Sequence, residues 1–152
     1  MLAEDADQYF DLHGVPSPYM LLVADVCASR RQPEPPGYGA LNVRDKLYHL
    51  RSDLPSITHI DYSARVQTVH RETNPRYHAL ISAFKKRTGY GVVVNTSFNV
   101  RGEPIVRTPE DAYRCFMRTE MDALVVGDHL FLKSAQPAWQ EAKKWQQDFV
   151  LD

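Results

Sequence analysis

The chain is short of the residues that would make it a disulfide-stapled, metal-binding or membrane protein. It has only 2 cysteines in 152 residues, Cys27 and Cys115, far apart and with no CxxC pair. That excludes a disulfide framework, and with no secretion signal at the N-terminus it sets a reduced, cytoplasmic expectation. The 6 histidines show no HxxxH or HExxH spacing, so no metal site is expected from this chain. No apolar run approaches the roughly 20 residues of a membrane-spanning helix. The net charge is only -1, which argues against nucleic acid or an anionic membrane as partner. There is no GxGxxG, no phosphate-loop lysine motif, no GxSxG elbow, no Ser/His/Asp trio that spacing can place, and no internal repeat.

What is present is an ordinary globular composition, 43% apolar and 24% charged, in a length that suits a single domain over 1–152 with its own core. Charge is unevenly spread. From Lys85 to Arg118 the basic residues Lys85, Lys86, Arg87, Arg101, Arg107, Arg114 and Arg118 face only Glu103, Glu110 and Asp111. A basic segment in a near-neutral chain suits a small anion better than a polyanion, though solvated helix faces would also produce it.

Within that segment lies the most informative run, Val92-Val93-Val94-Asn95-Thr96-Ser97-Phe98-Asn99-Val100-Arg101-Gly102-Glu103-Pro104-Ile105-Val106. The valines read as a buried strand emptying into amides, hydroxyls, a guanidinium and a glycine-proline turn. Such a strand end is a natural place to hold a small polar or anionic ligand. It is equally the composition of a polar loop whose asparagines satisfy their own backbone.

The rest of the chain reads as alternating helices and strands. Residues 2–12 space their apolar side chains as a short amphipathic helix, and Tyr19–Ala24 reads as a buried strand. A flexible loop is expected over about 29–55, where Pro33, Pro35, Pro36, Gly37 and Gly39 break the pattern. Ile57–Ile60 and Ala64–Val69 alternate as two strands, the second placing Arg65, Gln67 and Val69 on one face. Asn74-Pro75 caps a helix with Tyr77, Leu80, Ile81 and Phe84 on its apolar face and Gly89 as its stop. Thr108-Pro109-Glu110-Asp111 opens another, ending near Thr119, which buries Ala112, Cys115, Phe116 and Tyr113. Ala123–Val126 and His129–Leu132 form a hairpin around Gly127-Asp128, and the tail from Pro137 reads as a helix carrying Trp139, Trp145 and Phe149. The order gives an α/β fold, a mixed sheet with helices packed on its faces.

The string Asn95-Thr96-Ser97-Phe98-Asn99-Val100-Arg101-Gly102-Glu103-Pro104-Ile105-Val106 closely resembles the C-terminal domain of the NodU/CmcH family of carbamoyltransferases. So do Ala64-Arg65-Val66-Gln67-Thr68-Val69, Tyr19-Met20-Leu21 and Asp122-Ala123-Leu124-Val125-Val126-Gly127-Asp128, in the same order. The resemblance implies a YrdC-like twisted sheet. It also implies an enzyme domain that takes carbamoyl phosphate and ATP, with Mg²⁺, and forms carbamoyl-adenylate with release of pyrophosphate. Transfer to a small-molecule hydroxyl acceptor belongs, in that family, to a larger N-terminal domain of actin-like ATPase fold that carries iron. No counterpart of that domain is expected here. The YrdC-type Ser-x-Asn signature is matched by Ser97-Phe98-Asn99. Of its Lys-x-Arg partner only the arginine is matched, by Arg65, with Ser63 in the lysine position.

Carbamoyl phosphate is a dianion with a planar amide head, so it needs guanidinium groups at one end and amide or hydroxyl partners at the other. Arg65 and Arg101 suit the phosphate; Asn95, Ser97 and Asn99 suit the head. Thr96, Ser97 and Asn99 are the nucleotide-side candidates, and Arg65, Asn99 and Arg101 those with a direct part in the chemistry. Glu103, Arg107 and Asp128 are weaker candidates. The competing classes are a non-catalytic nucleotide or RNA binding module, and a docking subunit for a separate catalytic chain.

Overall fold

The stretch expected as one N-terminal helix splits in two. In the computed structural model, which describes residues 1–139, Ala3–Gln8 form a 3₁₀ helix and Phe10–Asp11 a short strand, β1. Phe10 and Leu12 are buried with Asp11 exposed between them, an alternation that belongs to a strand and not to a helix. β1 pairs antiparallel with β2 (Leu22–Val26), Phe10 facing Val26. β2 pairs antiparallel with β3 (Ser63–Val66), Val23 facing Arg65. β2 starts later than the apolar run from Tyr19 predicted, because Met20 takes a φ of 55° and turns the chain. Tyr19 and Leu21 are left exposed.

Tyr9, Phe10, Leu12, Val26, Ala64 and Val66 make the main core of this part of the chain. Between β2 and β3, the segment expected as irregular contains a short helix, α1 (Val43–Tyr48), capped by Asn42, whose side chain accepts the Asp45 amide. Its ends are tied by the Arg30–Asp53 ion pair at 2.6 Å and by a backbone bridge between Arg31 and Ser52. The strand predicted over Ile57–Ile60 is absent. There the Ile57 amide donates to Leu54 O at 3.3 Å, the His59 amide to Ser63 O at 2.8 Å, and Arg51 Nη2 to Thr58 O at 3.1 Å. Local turns and the Arg51 side chain thus take backbone groups that a ladder would need.

β3 stops at Val66, three residues short of the prediction. Val69 instead forms a parallel bridge with Leu2, its amide donating to Met1 O at 2.8 Å. The helix α2 (Pro75–Thr88) follows its signals closely: Asn74 accepts the Tyr77 amide, and Gly89 ends the helix at φ 85°. Its buried stripe is rotated from the expected one. His78 and Ile81 are buried while Leu80 and Phe84 are exposed. The cause is polar: the N-terminal turn holds the helix through Glu4 to His78 at 2.8 Å and Asp5 to Lys85 at 2.7 Å. Val92–Val94 form no strand. Leu2 donates its amide to Gly91 O at 3.0 Å just before the run, Val92 and Val93 pack half-buried against core clusters, and Val94 is exposed.

Residues Met1–Val94 form one compact unit and the chain from Asn95 another. The second unit is built on α3 (Pro109–Arg118), whose N-terminus carries a full capping box between Thr108 and Asp111. α3 buries Ala112, Cys115 and Phe116, as its spacing predicted. It packs on the hairpin of β4 (Ala123–Val126) and β5 (His129–Leu132) through Leu124, with Phe98, Val106 and Phe131 against the same cluster. The α/β class therefore holds, with the strands of the described residues in small antiparallel sheets instead of one mixed sheet; their parallel component is the Leu2–Val69 bridge. Pro137–Trp139 have no regular structure, and the rest of the predicted tail helix lies outside the described residues. Among the described residues no helix is long and apolar enough to cross a membrane.

Candidate functional site

The second unit turns the polar motif into a defined loop. Phe98 anchors it, half-buried in the core, with its carbonyl accepting the Val106 amide at 3.0 Å. Between these two points the chain makes a tight turn, closed by the Glu103 amide donating to Val100 O at 3.0 Å. Gly102 holds φ 86° at the third position of that turn, a value ordinary side chains avoid and type II turns require. Arg101 is thereby carried at the exposed corner. Its guanidinium makes no hydrogen bond or ion pair among the described residues.

Asn99 has a more specific geometry. Its Nδ2 donates to Val100 O at 3.1 Å and to Glu103 O at 2.8 Å. Both partners are carbonyls, so the amide must present its NH₂ to the turn, and both of its hydrogens are used. What Asn99 retains for a ligand is the acceptor Oδ1. Asn95, Thr96 and Ser97 precede this turn and are exposed.

Of the sequence candidates, Asn95, Thr96, Ser97, Asn99 and Arg101 fall in this one unit, Asn99 and Arg101 in the same turn. Arg65 belongs to the first unit. It stands exposed on β3 between buried Ala64 and Val66, across from Val23, and makes no ion pair among the described residues. The face predicted for Arg65, Gln67 and Val69 is broken, because the strand ends at Val66 and Val69 is buried. Glu103 is no open ligand: Arg118 Nη1 donates to its Oε1 at 3.3 Å, with both side chains nearly buried. Asp128 is exposed at the hairpin turn, and the Arg107 amide serves the α3 cap by donating to Asp111 Oδ2 at 3.3 Å.

Arg118 is the residue that sequence reasoning passed over. One signal was available: it lies three positions after buried Cys115, beside the apolar stripe of α3. An arginine there needs a buried partner.

Comparison with known proteins sets this geometry in a family. The family model described as Carbamoyltransferase C-terminus matches residues 1–133. The chain belongs to that family. An uncharacterized protein of Synechocystis is 58% identical over 152 residues, covering 100% of this chain and 25% of the relative. Nodulation protein NolO of Bradyrhizobium diazoefficiens is 52% identical over 80 residues, 53% of this chain and 15% of the relative. The 3'-hydroxymethylcephem-O-carbamoyltransferase of Amycolatopsis lactamdurans is 43% identical over 77 residues, 51% of this chain and 15% of the relative. The chain thus spans a quarter or less of the length of each of these relatives.

In this family member the cysteines are poor nucleophiles. Burial pushes the Cys115 thiol up, with the Glu103 charge adding to it, and burial followed by Asp11 does the same at Cys27. His78 is buried and held by Glu4. Among the described residues no group of three or more His, Cys, Asp and Glu could hold a metal ion.

Proposed function

We propose that this chain is the carbamoyl-phosphate and ATP binding part of a carbamoyltransferase, forming carbamoyl-adenylate for O-carbamoylation of a small-molecule hydroxyl. The observation that carries the reading is the Val100–Glu103 turn in a carbamoyltransferase family. It offers a cation at its corner, Arg101, beside an amide whose free atom is an acceptor, Asn99 Oδ1. Arg101 suits the phosphate. Asn99 Oδ1 suits the N–H of the carbamoyl head, with Asn95 and Ser97 beside it in sequence. Thr96, Ser97 and Asn99 are assigned to the nucleotide, on the resemblance of Ser97-Phe98-Asn99 to the YrdC-type Ser-x-Asn signature.

The chemistry balances without a protein nucleophile. Water removes the phosphoryl group of carbamoyl phosphate as inorganic phosphate, breaking its P–O bond and leaving carbamate. A carbamate oxygen then attacks the α-phosphate of ATP, and pyrophosphate leaves with the electron pair of the broken bond. Such transfers run on alignment and charge neutralisation. Glu103 is already committed to Arg118 and the Val100 amide, so it offers no ready carboxylate for Mg²⁺. The ion would arrive on the ATP phosphates and neutralise their charge. Transfer to the acceptor is assigned to a larger partner domain of actin-like ATPase fold, where the family's iron belongs.

Calorimetry with carbamoyl phosphate and with ATP tests the binding step. Exchange of labelled pyrophosphate into ATP, dependent on carbamoyl phosphate, tests adenylation. We expect weak but specific heats and slow exchange. No heat at millimolar ligand, no exchange, and an RNA affinity that falls steeply with salt would refute the reading in favour of a nucleic-acid binding module.

A further inference from the structure

The motif turn is held from behind by a buried ion pair. Arg118, near the end of α3, reaches Glu103 at 3.3 Å with the two side chains only 11% and 13% exposed. Glu103 then acts on the turn through several atoms. Its Oε2 accepts the Val100 amide at 3.5 Å, its main-chain N–H closes the turn on Val100 O, and its carbonyl takes one hydrogen of Asn99 Nδ2. The platform beneath is itself secured at both ends. Thr108 and Asp111 cap the start of α3, and Lys133 Nζ caps its end, donating to Phe116 O and, at 2.7 Å, to Thr119 O.

We propose that Glu103 and Arg118 are positioning residues, whose ion pair fixes the turn that presents Arg101 and Asn99 to the anion. This rests on the site reading above. Three observations favour positioning over ligand contact. The pair is nearly buried and its charges cancel, so it adds little field at the exposed corner. Glu103 touches the two residues before Arg101, Val100 by side chain and backbone and Asn99 by its carbonyl. Arg118 joins the turn to a capped helix, so its loss leaves a carboxylate desolvated without its cation. The Cys115 thiol, pushed up by burial and by the Glu103 charge, marks the same dry surroundings.

The test uses the 152-residue chain with Glu103→Gln, Arg118→Met, Arg118→Lys, the Glu103→Gln/Arg118→Met pair, and Arg101→Ala as reference. Binding of carbamoyl phosphate is measured by calorimetry and exchange of the Val100 and Glu103 amides by mass spectrometry. We expect each charge-removing single variant to weaken binding about tenfold and to speed amide exchange. The double variant should lose no more than the worse single, and Arg118→Lys should recover part of both. Glu103→Gln is nearly isosteric and carries the test if Arg118→Met fails to fold. Weakened binding in Arg101→Ala alone, with the pair's variants matching the parent in affinity and amide exchange, overturns the positioning role. Parent affinity in Arg101→Ala, or a parent that does not bind, overturns the site reading itself.

Discussion

Arg101→Ala separates affinity from stability more cleanly than any other change at this site. Its side chain stands at the exposed corner of a turn closed by other groups, the Glu103 amide donating to Val100 O at 3.0 Å and Asn99 Nδ2 bracing the two carbonyls. It contributes no hydrogen bond or ion pair among the described residues. Removing it should therefore change unfolding free energy by less than about 0.5 kcal/mol, as for other surface positions. If the guanidinium holds the phosphate of carbamoyl phosphate, its loss should cost about 1.5–3 kcal/mol of binding, the worth of a charge-assisted hydrogen bond. That is roughly a ten- to hundredfold rise in Kd. Calorimetry against carbamoyl phosphate at two salt concentrations, with a thermal melt of the same sample, measures both quantities. A parent-like melt with a parent-like Kd would refute the placement of phosphate at Arg101.

Asn99→Ala should cost about 1–2 kcal/mol of stability, since both donors of Nδ2 serve the turn, and Asn99→Asp should cost more because an oxygen would then face two carbonyls. Urea unfolding of the two variants ranks them. Gly91→Ala should destabilise the first unit by roughly 1–3 kcal/mol. Its Cβ would collide with Asp5 Oδ2 and sit 3.4 Å from Leu2 Cδ1, in a packing fixed by the Asp5–Lys85 pair; thermal melts read the loss directly. Hydrogen bonds from Thr108 and then the Arg107 amide hold the Asp111 carboxyl below its ordinary 3.8. Its contribution is therefore complete above that value and is lost as pH falls through the lower folded pKa. A melting-temperature profile should drop below about pH 4, and less steeply in Asp111→Asn.

The parts of this fold that were legible in the sequence are those whose causes lie within a few residues. Asn74-Pro75 with Gly89, and Thr108-Pro109 with Asp111, bounded α2 and α3 because capping is chemistry between neighbours. Gly127 at φ 59° marked the hairpin for the same reason. The failures share a distant cause. Phe10 is in a strand because Val26 is there to pair with it, and the α2 stripe is rotated because Glu4 and Asp5 claim His78 and Lys85. Val92–Val94 looked like a strand on β-branched content alone, yet propensity without a partner ladder makes none. At the site, the motif residues were legible as types. That Asn99 spends its NH₂ on the turn was not, and neither was the bond from Glu103 to Arg118.

The arrangement of the second unit also bears on why so small a loop would suffice. Its cysteine is not poised to attack, since burial pushes the Cys115 thiol up. The motif itself carries a guanidinium, amides and hydroxyls, groups that can orient and neutralise an anion. Holding reactants in line can supply about 7–11 kcal/mol of a barrier, but only if the holding groups do not drift. A loop closed by Gly102, tied at Glu103 to Arg118 and seated on a helix capped at both ends meets that condition. An exposed arginine on a slack loop would not. The stiffness of this turn, rather than the number of polar residues in it, is therefore the property on which the adenylation proposed above would depend.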